Sequence, residues 1–173
     1  MNRSELDSRS RPLRLLFVCS GNTCRSPMAQ VIAQVLAEDS DLGQVEVRSA
    51  GTHARDGSPA SEEAVRAARR HGHSLEDHRS AQLSRRWIDW ADLIFTMGPS
   101  HLERVRALGG GEKAFLLGAF ARGEEGEEGG VTARDRSVPD PFGGDEQVYE
   151  ETFLTLEEYL TALLDRLKGG TAP

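Results

Sequence analysis

The stretch from Leu13 to Gln30, LRLLFVCSGNTCRSPMAQ, runs an apolar segment straight into a short glycine-containing loop and then into a helix-like sequence. Leu13 to Val18 reads as a buried strand, and the residues after the loop carry helix-start chemistry. Ser26 is placed to cap, Pro27 suits the first helical position, and Met28, Ile32, Val35 and Leu36 fall on one face. A strand feeding a helix through one tight loop is the opening unit of a parallel sheet.

The remaining pattern repeats that alternation. Val45 to Gly51 reads as a second strand, and the segment from Ser58 repeats the serine-proline opening of a helix that ends near Gly72. Leu93 to Met97 is a third strand, Pro99 to Leu108 a helix, and AFLLGAF from Ala114 a fourth strand. Tyr149, Phe153, Leu156, Leu160, Leu163, Leu164 and Leu167 mark a final amphipathic helix. The expected fold is a single-domain α/β open parallel sheet of about four strands with helices on both faces and the loop after the first strand at its carboxyl edge. Trp87 and Trp90, three apart on a helix, read as packing residues.

Polar residues 1–12 form an expected disordered tail, 13–168 the folded domain and 169–173 a second tail. Within the domain, glycines and repeated acids over 121–137 suggest a flexible, solvated loop. A chain of 173 residues that is 38% hydrophobic can build one core, and its net charge of -7 argues against nucleic acid or an anionic membrane as a general partner. With no apolar run of about 20 residues and no signal-like start, the chain reads as cytoplasmic. Its two cysteines, five positions apart, cannot staple a large fold, and neither a second pair nor clustered histidines complete a metal site. They point to chemistry instead.

A loop entering a helix N-terminus offers unpaired N–H groups and positive potential to an anion. Ser20, Gly21, Asn22, Thr23, Cys24, Arg25 and Ser26 would wrap a phosphate, with the Cys19 sulfur beneath phosphorus and the Arg25 guanidinium gripping two oxygens. The same groups favour thiolate at Cys19, and Ser26 could donate to it. Taken alone, this cysteine and arginine would read as a buried strand-end residue and a surface charge. The complete string argues otherwise.

FVCSGNTCRSPMA closely resembles the active-site loop of the low-molecular-weight protein tyrosine phosphatase family, and VRSAGT, HGHSLEDHRSAQL and DPFGG follow in the family's order. The resemblance implies that Cys19 is the nucleophile, Arg25 the phosphate clamp and Asp140 the general acid, acting through a phosphocysteine without metal or cofactor. It further implies that Asn22, Ser49 and His78 support the loop. It also supports a redox role in which Cys24 captures oxidised Cys19 as a disulfide, although plain packing remains open for Cys24. His53, His71, His73 and His101 carry no comparable signal.

The implied partners are phosphorylated proteins, with inorganic phosphate as product. Thr23 stands where tyrosine-directed members often carry a bulkier aliphatic residue, and Phe142 and Gly143 stand where they often carry a tyrosine pair. Both resemble the protein arginine phosphatase branch, which places phosphoarginine ahead of phosphotyrosine. Three other readings stay open: a tyrosine phosphatase proper, an arsenate reductase on the same scaffold, and a binding module without turnover. The reductase reading needs cysteines beyond the loop, and none follows Cys24.

Overall fold

The computed structural model describes residues 11–125 and 136–169. In chain order these form β1 (Leu13–Cys19), α1 (Arg25–Glu38), β2 (Val45–Gly51), α2 (Glu62–Arg70), α3 (Arg85–Trp90) and β3 (Leu93–Thr96). After them come α4 (Pro99–Ala107), a short 3-10 turn (Gly111–Lys113), β4 (Ala114–Leu116), α5 (Leu117–Arg122) and α6 (Glu146–Lys168). The four strands pair in parallel in the order β2-β1-β3-β4.

The alternation of side chains along β1 sorts the core into two layers. Leu13, Leu15, Phe17 and Cys19 face one side, packing with Met28 and Ile32 of α1 and with Phe153, Leu156 and Leu160 of α6. Leu16 and Val18 face the other, against Ile88, Leu102 and Val105. Trp87 and Trp90 meet edge to face at 5.9 Å and cover this second layer, as their spacing suggests. No helix among the described residues is long and apolar enough to cross a membrane.

Because β2 and β3 flank β1 on opposite sides, the chain reverses direction across the sheet at β1, and the carboxyl ends of β1 and β3 border a crevice. Val138 N–H donates to Met97 O at 2.8 Å, so the segment carrying Asp140 hangs from the end of β3. The loop after β1 and the Asp140 segment are thereby brought to one edge.

The structure corrects several local expectations. The run AFLLGAF is not one strand: β4 stops at Leu116, whose partner Thr96 is the last residue of β3, and the following apolar residues coil into α5. Phe120 then packs at 5.0 Å from Phe95, and a Cβ on Gly118 would lie 2.3 Å from Arg136 O, so only glycine fits that approach. Ser26 does not cap α1; the helix begins one residue earlier, at Arg25, without a side-chain cap. The second helix is capped by Ser61, which accepts from Ala64 N–H, and not by Ser58. Val35 is 41% exposed and leaves the apolar face to Met28 and Ile32.

Of the expected N-terminal tail, Arg11 and Pro12 are described, and Arg11 makes a two-pronged pair with Asp92. Residues 1–10, 126–135 and 170–173 lie outside the described residues, and with them most of the expected loop 121–137. At the described ends of that loop, residues 121 and 122 finish α5, Arg136 is buried, and Glu125 pairs with Arg166, while Arg122 and Gly123 are exposed.

Candidate active site

Cys19 closes β1 and the chain then turns over the N-terminus of α1. From Gly21 to Arg25, no backbone N–H donates to a backbone carbonyl among the described residues, so these donors remain available to an anion. Asn22 sits in the left-handed region, with φ of 54°, which lets the chain bend around an enclosed volume. Gly51 makes room for the bend: a Cβ there would lie 2.4 Å from Ser20 O and 2.8 Å from Asn22 N.

The bent loop is held from beneath. Asn22 Nδ2 donates to Ser49 Oγ at 2.9 Å and to Ser26 Oγ at 2.8 Å, while its Oδ1 accepts from Ala81 N–H at 2.9 Å. His78 Nε2 lies 2.7 Å from Asn22 O; the carbonyl can only accept, so the imidazole donates. Burial lowers the His78 pKa, outweighing the opposing effect of the Asn22 carbonyl, and so favours the neutral ring. Ser49 passes its own hydroxyl hydrogen to Gln30 Oε1 at 2.6 Å. The residues Asn22, Ser49 and His78, expected together from sequence, are in one network, with Gln30 and Ser26 joined to it.

Above the loop lies a cavity of about 300 Å³ lined by Cys19, Ser20, Gly21, Thr23, Cys24, Arg25, His53, Asp140 and Phe142. Cys19 Sγ is 2.9 Å from Ser26 Oγ. Because Ser26 already accepts from Asn22, its hydrogen points onward, and sulfur is nearer to it than Ala50 O, at 3.4 Å. Arg25 is 6% exposed; its Nη1 donates to Val138 O at 3.1 Å, its Nη2 lies 3.3 Å from Asp140 Oδ2, and its Nε is buried with no protein partner. A buried guanidinium with a spare donor is matched to an oxyanion in the cavity. Asp140 is exposed, and its Oδ1 accepts from Phe142 N–H at 3.2 Å. Phe142 is 80% exposed at the mouth.

Three residues at the site escape a reading of the sequence. His53 lines the cavity, with Nδ1 2.9 Å from Thr52 Oγ1. His101 reaches Ser20 Oγ from α4. Tyr149 of α6 brings its hydroxyl 3.3 Å from Cys24 Sγ, and burial, reinforced by Cys24, pushes the phenol up to about 12. Each lies far along the chain from the loop and in no motif of its own, so nothing local signals the contact. His71 and His73 instead pack against Phe153 on α6. Both cysteines are free and buried.

Comparison with known proteins gives this geometry a context. The model of the family described as low molecular weight phosphotyrosine protein phosphatase matches residues 14–171. The chain is 38% identical over 159 residues to a protein-arginine-phosphatase of Geobacillus stearothermophilus, covering 91% of this chain and 97% of the relative. It is 37% identical over 159 residues to a low molecular weight protein-tyrosine-phosphatase of Streptomyces coelicolor, covering 87% and 91%. A solved cysteine-to-serine mutant of the arginine phosphatase YwlE, with a phosphorylated active-site serine, superposes with a TM-score of 0.79 at 35% identity over 90% of this chain and 96% of that one.

Proposed function

The chain belongs to the low molecular weight phosphotyrosine protein phosphatase family, and from that premise we propose that Cys19, Arg25 and Asp140 hydrolyse phosphorylated side chains of proteins, phosphoarginine ahead of phosphotyrosine. The observation that carries the reading is the convergence of these three side chains on one cavity floored by unpaired amides.

In the first step the Cys19 sulfur attacks phosphorus from below while Arg25 and the loop amides hold the other oxygens. The bond from phosphorus to the side-chain nitrogen or oxygen breaks, and protonated Asp140 gives its proton to the departing atom. In the second step Asp140 takes a proton from water, the water oxygen bonds phosphorus, and the sulfur leaves. Ser26 donates to that sulfur as negative charge returns to it. Gly51, Asn22, Ser49 and His78 keep the loop in the shape that both steps require.

The substrate order rests on the cavity wall and on the relatives. Thr23 presents a small polar side chain beside Gly21, where a larger apolar one would fill space, and a hydroxyl suits a guanidinium better than an aromatic ring. The Geobacillus relative named as a protein-arginine-phosphatase supports the same order. The Streptomyces relative, at nearly the same identity, supports phosphotyrosine as the second substrate. Efficiency measured side by side on phosphoarginine and phosphotyrosine proteins tests this, with Thr23→Ile expected to shift preference toward phosphotyrosine. Activity on phosphotyrosine proteins alone, unchanged by Thr23→Ile, overturns it.

A further inference from the structure

Where the ends of β1 and β3 meet, one contact has no part in the reaction as described. Ser20 Oγ lies 2.8 Å from His101 Nε2, and His101 stands in the first turn of α4, directly beyond β3. The imidazole is 4% exposed, and its Nδ1 is buried with no hydrogen-bond partner. Burial, with the charge of Arg25 acting in the same sense against a smaller opposing effect of Asp140, pushes the ring's pKa down to about 4, so it is neutral near pH 7.

A neutral imidazole carries one N–H, and the surroundings choose its place. On Nδ1 the hydrogen would be a buried donor with nothing to receive it, and orphaned N–H groups are the rarer and costlier kind. On Nε2 it is donated to Ser20 Oγ, leaving only an unused lone pair at Nδ1. Ser20 Oγ is then an acceptor in this contact, and its own hydrogen must go elsewhere. Ser20 Oγ makes no other hydrogen bond among the described residues, and Ser20 lines the cavity that holds Cys19 and Arg25.

Resting on the phosphatase reading above, we infer that the Ser20 hydroxyl donates to an oxygen of the bound phosphoryl group, and that His101 is a positioning residue that sets its direction. The ligand class is a tetrahedral oxyanion: the phosphoryl group of the substrate, the phosphocysteine, or product phosphate. His101 thus links the β3 end, from which the Asp140 segment also hangs, to the first residue of the phosphate loop.

The test compares wild type, Ser20→Ala, Ser20→Thr, His101→Leu and the double variant Ser20→Ala/His101→Leu. Affinity for inorganic phosphate is read by calorimetry, and kcat and KM on a simple aryl phosphate are read alongside. Ser20→Ala is expected to weaken phosphate about tenfold, the value of one hydrogen bond to a charged oxygen, and Ser20→Thr to regain most of that loss. His101→Leu should weaken phosphate in the wild-type background and change it by less than about twofold once Ser20 is Ala. Equal phosphate affinity in wild type and Ser20→Ala, no rescue by threonine, or losses that multiply in the double variant overturn the inference. Ser20→Ala is a small change at a loop position, so it keeps the test open even where His101→Leu folds poorly. Failure of the phosphatase reading looks different: wild type releases no phosphate from the ester, while the binding series still ranks the variants.

Discussion

The Ser26 hydroxyl lies 2.9 Å from the Cys19 sulfur and accepts at 2.8 Å from Asn22, so that sulfur is tied through one oxygen to the residue that bends the loop. Removing that oxygen takes a donor from the sulfur when it attacks and again when it leaves. Ser26→Ala is expected to lower kcat about tenfold or more, in line with one charge-assisted hydrogen bond, and to slow alkylation of Cys19 by iodoacetamide at pH 7. Wild-type alkylation and kcat in the variant would remove Ser26 from the chemistry.

Acid should destabilise the fold through histidines whose pKa burial lowers, His101 above all. The His101 pKa, about 4 in the folded chain, lies well below that of an unfolded histidine, so the unfolded state binds more protons between the two values. The stability that neutral His101 retains is therefore complete above about pH 6.5, declines as pH falls through this window, and levels off below the folded value. The full window is worth on the order of 3 kcal/mol. His78 and His73 are shifted in the same direction, so each adds to the slope. Urea midpoints at pH 7, 6 and 5 should fall steadily, and His101→Gln should flatten the series; an unchanged slope contradicts the assignment.

Cys24 rests against Tyr149 at 3.3 Å and Ser61 at 3.5 Å and lines the same cavity as Cys19. On the redox reading, peroxide oxidises the Cys19 sulfur to a sulfenic acid; attack by the Cys24 thiol would form the disulfide and release water, and an added thiol would reduce it. Peroxide followed by reductant should restore more activity to wild type than to Cys24→Ala. Equal recovery would leave Cys24 as a packing residue.

The sequence displays the site's local parts and hides its long-range ones. Cys19 to Ser26 is a continuous string, so its chemistry can be read without a structure. The edges of β1 follow from an apolar run that ends at the loop, and those of β2 from the alternating Val45 and Val47 ahead of Gly51. The run from Ala114 misleads because contiguous apolar residues suit a strand or a buried helix equally, and the switch at Leu117 is set by where β3 ends. Ser26 looks like a cap because serine before proline usually is one, yet its hydroxyl is taken by Cys19 and Asn22. His101 is 81 residues from Ser20, and only the adjacency of β1 and β3 joins them.

Covalent capture of phosphate on residue 19 is the most direct measurement. Wild type, Asp140→Ala and Cys19→Ser are mixed with a phosphoarginine protein, quenched within a turnover, and the peptide carrying residue 19 is weighed. A phosphate on Cys19 in wild type, with steady phosphate release slowed in Asp140→Ala, which loses the proton donor of the first step and the base of the second, and abolished in Cys19→Ser, is the predicted result. Sustained release by Cys19→Ser at the wild-type rate, with no phosphate found on Cys19 in either other protein, would contradict the account.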